Sequence, residues 1–285
     1  MDALTRSRYL AWRKRKLKRR ITILLVLLLI FVGISVWGVS SLINRGVEPI
    51  NDETDHAATV GDTSEDVSSE NDKPQVEIEF CGATDREDTI ILTNDESLEY
   101  TALVNRCYRM PSGFSPPDLS VVNALNIYEQ PNQWIQLRQT AARALEDLLD
   151  TAYQLEGHVV LIISGYRSYE QQVSAHEHHV QTLGVEEARR ISARPGHSEH
   201  QLGLAIDLST PSLGGHLSAD FSSKIEGAWI VENAHKFGFI ISYPTGREED
   251  TGFVYEPWHL RYVGAEVATI IFENGWILEE FIANQ

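Results

Sequence analysis

The sequence predicts an α+β domain, helices packed around a small, mainly antiparallel sheet, preceded by one transmembrane helix and a disordered stalk. Three observations lead there. An uncharged apolar run of 23 residues fills positions 21–43, and an acidic stretch almost without large apolar residues covers 44–75. Beyond residue 76, helical and strand patterns mix without regular βαβ alternation.

The N-terminal 20 residues carry nine Lys/Arg and one acid, Asp2. They read as a cytoplasmic basic segment, because positive charge ahead of an apolar span stays inside. A helix rising about 1.5 Å per residue over 21–43 is long enough for a hydrocarbon core of about 30 Å. The run exceeds the roughly 7–15 apolar residues of a signal peptide. An uncleaved single-pass membrane anchor is therefore expected, with cleavage near Val39-Ser40-Ser41 as the alternative. Either way the remainder is exported. Residues 44–75 cannot bury enough apolar surface to offset their ordering entropy and read as a flexible acidic stalk. Residues 76–285 are left as one extracellular domain.

The net charge of −17 conceals an asymmetry, since from residue 44 onward fifteen basic side chains face forty acidic ones, about −25. Such a polyanion disfavours nucleic acid as a partner. No protein partner is inferred. Outside the cell, the only two cysteines, Cys81 and Cys107, are expected to form one disulfide.

Within the domain, Trp134, Leu137, Ala141, Leu145, Leu148, Ala152 and Leu155 recur at helical spacing, which predicts a helix over 132–156 ending at Gly157. A buried strand follows at 158–164, HVVLIIS. Residues 168–183 read as a helix stopped by Gly184. Strands are expected at 203–209, 239–243 and 258–263, with a helix at 221–237 and short helices to the C-terminus.

Two clusters carry chemistry. PGHSEHQLGLAID (195–207) places His200 just before a strand and Asp207 on it. EPWH (256–259) opens the last strand. Hydrolytic zinc sites use three His/Asp/Glu ligands and leave a position to water, whose pKa falls to about 7. His200, Asp207 and His259 supply such a set, and Glu256 is placed to act as general base. An acid in an apolar strand such as LAIDL is also explained by pairing with an arginine, and His200 by simple exposure. The HExxH helix of zincins is absent from the sequence.

SGYRS (164–168), SEHQLGLAID (198–207) and EPWHLRYVG (256–264) together resemble the VanY-type D-alanyl-D-alanine carboxypeptidases, zinc metallopeptidases related to lysostaphin-type endopeptidases and hedgehog domains. LVNRCYRMPSGFSPPDL (103–119) and YPTGREEDTGFVYEPWH (243–259) extend the match. The resemblance implies zinc on His200, Asp207 and His259, Glu256 as base, and Arg167 facing the substrate. A guanidinium there suits either the developing oxyanion or a terminal carboxylate. It further places Ser198 and Gln172 near the pocket as substrate-binding residues, and Tyr166 and Trp258 as its frame. The lysostaphin-type HxH pair is replaced by Pro257-Trp258-His259, which favours the carboxypeptidase branch. Ser242 stands where relatives are expected to carry Arg, which bears on subsite recognition.

The implied reaction is removal of the terminal D-Ala from peptidoglycan stem peptides at the bacterial cell surface. An L,D-carboxypeptidase acting on tetrapeptide stems is the alternative within enzymes. A non-catalytic zinc domain that binds wall fragments is the alternative outside them. His176, His178 and His179 read as a solvated helix face whose replacement leaves activity intact. His197 reads as a rim residue, and TGREED (245–250) as a charged loop over the site mouth that lacks the alternate-position ligands of a calcium loop.

Overall fold

The protein, analysed as a computed structural model, is described at residue 82 and over residues 89–124 and 135–285. The basic segment, the apolar run and the stalk lie outside the described residues. No described helix is long and apolar enough to cross a membrane.

In chain order the strands and α-helices are β1 (Ile90–Ile91), β2 (Tyr108–Arg109), β3 (Leu119–Val121), β4 (Gln136–Arg138), α1 (Gln139–Glu156), β5 (Leu161–Ser164), α2 (Tyr169–Leu183), α3 (Val185–Ile191), β6 (Ala205–Ser209), α4 (Ile225–Asn233), β7 (Phe239–Ile241), α5 (Glu248–Thr251), β8 (His259–Tyr262), α6 (Ala265–Asn274) and α7 (Leu278–Ala283). The central sheet runs β5-β6-β8-β7 and is antiparallel throughout. Mixed helices and mainly antiparallel strands, with β1 and β2 paired in parallel, are thus what the described residues form.

Residues 132–134 of the helix expected over 132–156 lie outside the described residues, and among those described the helix begins at Gln139. Residues 136–138 instead pair antiparallel with β3, Leu137 opposite Ser120. Leu137 is buried either way, so its apolar character fitted both patterns. From there α1 buries Ala141, Ala142, Leu145, Leu148, Leu149 and Ala152 at helical spacing. Leu155, assigned to that face, is 70% exposed. Gly157 ends the helix in the left-handed region at φ 71°, its N–H donating back to Ala152 and Tyr153 carbonyls. Ser168 caps α2 reciprocally with Gln171, a capping box.

Helix 221–237 is interrupted. A 3₁₀ turn at Ala219–Ser223 precedes α4, and a second at Ala234–Phe237 follows it. The main core unites α1 with the inward faces of the sheet through Leu145, Leu148, Ile162, Ile206, Leu208 and Leu260. A second cluster seats α6 and α7 against Ile240 and Val263. Cys107 is disulfide-bonded; Cys81, the only other cysteine, lies outside the described residues.

Candidate metal centre

The sheet register brings the polar residues together. Asp207 of β6 and His259 of β8 are direct cross-strand partners. His200 comes from the 3₁₀ turn Glu199–Leu202 that leads into β6. Gly203 makes that connection at φ 67°, and a Cβ there would meet Leu119 at 2.9 Å. Ligand atoms of His200, Asp207 and His259 all lie within 4.8 Å of one another, and all three residues are buried. It is the one His/Cys/Asp/Glu grouping among the described residues that could hold a metal ion.

Each imidazole has one nitrogen spoken for. His200 Nδ1 donates to the Gly165 carbonyl at 2.8 Å, which leaves Nε2 facing Asp207 Oδ2 at 3.2 Å. A carbonyl can only accept, so the Nε2 lone pair is the free one. His259 Nε2 donates to Glu199 Oε2 at 2.9 Å, and its Nδ1 lies 3.0 Å from Asp207 Oδ1. Two nitrogens and a two-oxygen carboxylate thus converge, which suits a small divalent cation such as zinc. Burial disfavours the imidazolium of His259, but hydrogen bonds to Asp207 and Glu199 outweigh it and lift the ring to about 10. Two carboxylates around one imidazole demand positive charge between His259 and Asp207, which a proton or a metal ion supplies. Asp207 is held far below the usual carboxylate range. Burial opposes this, and the charge and hydrogen bonds that the neighbouring imidazoles supply whenever they carry a second proton overcome it.

Glu256 and His259 are joined by a turn in which the His259 N–H donates to the Glu256 carbonyl at 3.0 Å. Pro257 occupies the second position, where its fixed φ is favourable. The Glu256 carboxyl lines the same cleft as the three grouped residues. Burial pushes it up to about 8; His259 pulls against this, while Asp207 and Glu199 add to it.

The cleft measures about 420 Å³ and is also lined by Arg167, Gln172, Ser198, Tyr243 and Trp258. In β5 the register shifts between Ile162 and Ser164, setting Ser164 opposite Asp207. The guanidinium of Arg167 then donates to Ser164 Oγ at 3.3 Å and to Gln172 Oε1 at 2.9 Å. Gln172 is buried, and its amide donates to the Ala193 carbonyl at 2.7 Å. Its side-chain oxygen is committed to Arg167, so Gln172 acts on anything in the cleft through that arginine.

Four side chains matter more than the sequence indicated. Glu199 accepts from His259, from Ser242 Oγ at 2.6 Å and from Arg261 Nη1 at 2.8 Å. Ser242 is therefore engaged with Glu199. The Tyr243 ring stacks on His259 with centroids 5.0 Å apart. Burial and the charges of Glu199 and Glu256 raise its hydroxyl well above its ordinary value, so it stays a neutral phenol.

Other expectations are corrected. His197 is a buried residue donating through Nδ1 to the Asn105 carbonyl at 2.7 Å. The 245–250 segment runs into the short helix α5, and Arg247 bridges Asp250 and Glu280, each at 2.6 Å. Phe253 and Val254 line the cleft in its place. Of the three helical histidines, His178 is exposed, but His179 lines the cleft. Helix α2 carries so weak an apolar stripe that its inward face could not be read from spacing.

Comparison with known proteins places the chain among carboxypeptidases. The family profile described as "VanY: D-alanyl-D-alanine carboxypeptidase" matches residues 134–265. The putative carboxypeptidase YodJ of Bacillus subtilis is 42% identical over 180 residues, 63% of this chain and 66% of the relative. A D-alanyl-D-alanine carboxypeptidase of Enterococcus faecalis is 38% identical over 48% of this chain and 52% of its own. The chain thus spans about half to two thirds of the length of these curated relatives. Among solved structures, the LdcB LD-carboxypeptidase superposes with a TM-score of 0.63 at 38% identity, covering 70% of this chain and 92% of that one. A vancomycin-resistance D,D-pentapeptidase VanY in complex with Zn(II) gives 0.51 at 32% identity, covering 65% and 99%. On these matches the chain belongs to the VanY D-alanyl-D-alanine carboxypeptidase family.

Proposed function

We propose that this protein is a zinc-dependent D-alanyl-D-alanine carboxypeptidase that removes the terminal D-Ala from peptidoglycan stem peptides. The observation that carries this reading is the convergence of His200 Nε2, His259 Nδ1 and the Asp207 carboxylate in a buried cleft that also holds the Glu256 carboxyl. His200, Asp207 and His259 would hold the zinc. When bound, zinc supplies a Lewis acid that lowers the pKa of water to about 7.

The remaining steps belong to this chain's side chains. Glu256 takes the proton from the attacking water and returns it to the departing amine of D-Ala. Arg167, braced by Gln172 and Ser164, presents its fork to the substrate carboxylate or to the oxygen that gains charge at the scissile carbonyl. Ser198, on the cleft wall, offers a hydroxyl to the substrate. Trp258 and Tyr243 bound the site with apolar ring surface.

Incubating the purified chain with zinc and defined stem peptides, and weighing the products, tests the function. Loss of one alanine from a pentapeptide stem, abolished by chelation, is the expected result. The likeness to an LD-carboxypeptidase structure supports the second reading, in which tetrapeptide stems are cut and pentapeptides are not.

Arg167→Lys keeps the charge but loses the planar fork and its braces. A charge-assisted hydrogen bond contributes about 1.5–3 kcal/mol, so kcat/KM is expected to fall roughly 10–100-fold. Unchanged kinetics in that variant would remove Arg167 from the substrate. His179→Ala is expected to raise KM by about 2–10-fold, the range of one neutral hydrogen bond, whereas His178→Ala leaves it unchanged. Equal KM values in both variants would return His179 to the role of a bystander.

The sequence supports placing this activity at the cell membrane, with residues 21–43 as anchor, 1–20 in the cytoplasm and 44–75 as stalk. Peptidoglycan then lies within reach of the tethered domain. A protease-protection assay on intact cells that cleaves residues 1–20 from outside would overturn that topology.

A further inference from the structure

We infer that Glu199 is a positioning residue for the metal centre, fixing the ring orientation and tautomer of His259 from a mount built by Arg261 and Ser242. The inference rests on the metallopeptidase reading above. It deepens that reading by naming a group outside the ligand set on which the ligand set depends.

The geometry starts in β8. His259 and Arg261 lie two positions apart on one strand and so share a face, while Leu260 points the other way. Arg261 is fully buried, yet it reaches Glu199 Oε1 through Nη1 at 2.8 Å. Its Nη2 donates to the carbonyls of Tyr100 at 3.0 Å and Ala102 at 2.9 Å, and its Nε to Tyr262 at 3.2 Å. The guanidinium is anchored on both sides and has little freedom to move. Glu199 is fixed in turn, with its second oxygen receiving Ser242 Oγ at 2.6 Å and His259 Nε2 at 2.9 Å.

Once a metal ion takes the place of the proton between Nδ1 and Asp207, a carboxylate facing Nε2 holds the ring's remaining proton there and leaves the Nδ1 lone pair to the ion. Metal-ligating histidines depend on such a partner for tautomer and basicity. A buried ion pair is weak evidence for stability, since apolar residues of similar volume often serve as well. Positioning accounts for the placement of Glu199 and Arg261 under the one imidazole that must present Nδ1.

Three donors converge on two oxygens of Glu199, which defines the test. In Glu199→Gln only one oxygen remains. If it accepts from His259 and Ser242, the amide opposes Arg261; if it accepts from Arg261, the amide opposes Nε2 and inverts the tautomer. Zinc affinity, measured by chelator competition, is expected to fall about 10–100-fold. The visible spectrum of the cobalt-substituted protein is expected to shift. Because an orphaned guanidinium can impair folding, the double variant Glu199→Gln/Arg261→Met is measured beside it. It lifts the conflict but lacks the carboxylate, so zinc binding stays about tenfold weaker.

Zinc affinity within twofold of the parent in the folded variants, with an unchanged cobalt spectrum, overturns the proposal and leaves a purely structural ion pair. Failure of the parent chain to bind zinc stoichiometrically overturns the underlying reading instead.

Discussion

Glu256→Gln is expected to bind zinc like the parent protein and to lose about 10²–10⁴ of its turnover, the usual contribution of a positioned acid–base group. The substitution is isosteric. It also leaves the backbone bonds of the turn intact, from the Glu256 N–H to the Tyr243 carbonyl and from the His259 N–H to the Glu256 carbonyl. What disappears is the capacity to take and return a proton. The pH profile distinguishes this from a general disturbance. Burial lifts the Glu256 carboxyl to about 8, and a nearby divalent cation favours the ionised form and draws it below that value. A base acts when ionised, so kcat/KM rises with pH through this pKa in the parent and lacks that limb in the variant.

Stability gives an independent reading with a definite sign. A carboxyl raised from 4.5 to about 8 in the folded state binds its proton more tightly there than in the unfolded chain. Its contribution is fully present below pH 4.5 and is lost as pH rises towards 8. In chelator-treated protein the stability difference between parent and Glu256→Gln should therefore move against the parent as pH rises across that window. Loss of zinc from the variant would instead make Glu256 a ligand, and full turnover would remove it as the base.

How much of this was legible in the sequence depended on whether a residue's partner was near in the chain or implied by pattern. Asp207 in an apolar strand had to be paired with something, and its neighbours in the motif order pointed to two histidines. The strand order β5-β6-β8-β7, which sets Asp207 opposite His259, could not be read from spacing. Glu199 was hidden for the opposite reason. It adjoins His200 yet serves His259, 60 residues away, and its mount comes from Arg261, 62 residues away. Nothing in the spacing of HLRYV marks that arginine as buried, yet all four residues of the strand are covered. Leu137 shows the limit of periodicity: an apolar residue ahead of an amphipathic helix fits its stripe, and only the partner strand at 119–121 shows it to be extended.

Stripping the metal is expected to abolish turnover and lower the melting temperature together, with added zinc restoring both. The coupling follows from where the ligands sit. His200 arrives on a turn leading into β6, Asp207 lies within β6 and His259 opens β8, so one ion ties two adjacent strands and their entry turn. An ion that binds only the folded state at a thousandfold over its Kd stabilises by about 4 kcal/mol. For a domain of this size that corresponds to roughly 10 °C. His200→Ala should behave differently from chelation. It removes one ligand and also the buried imidazole that bonds the Gly165 carbonyl and packs against Asp207, which leaves a cavity. Zinc affinity should fall by more than about 100-fold, beyond what an outer partner contributes. The variant should melt below the chelated parent, and zinc should not rescue it. If chelated protein kept its turnover, or if His200→Ala retained a full equivalent of zinc and the parental melting temperature, the buried His/Asp/His cluster would be a hydrogen-bonded core network, and the catalytic reading would have to be abandoned.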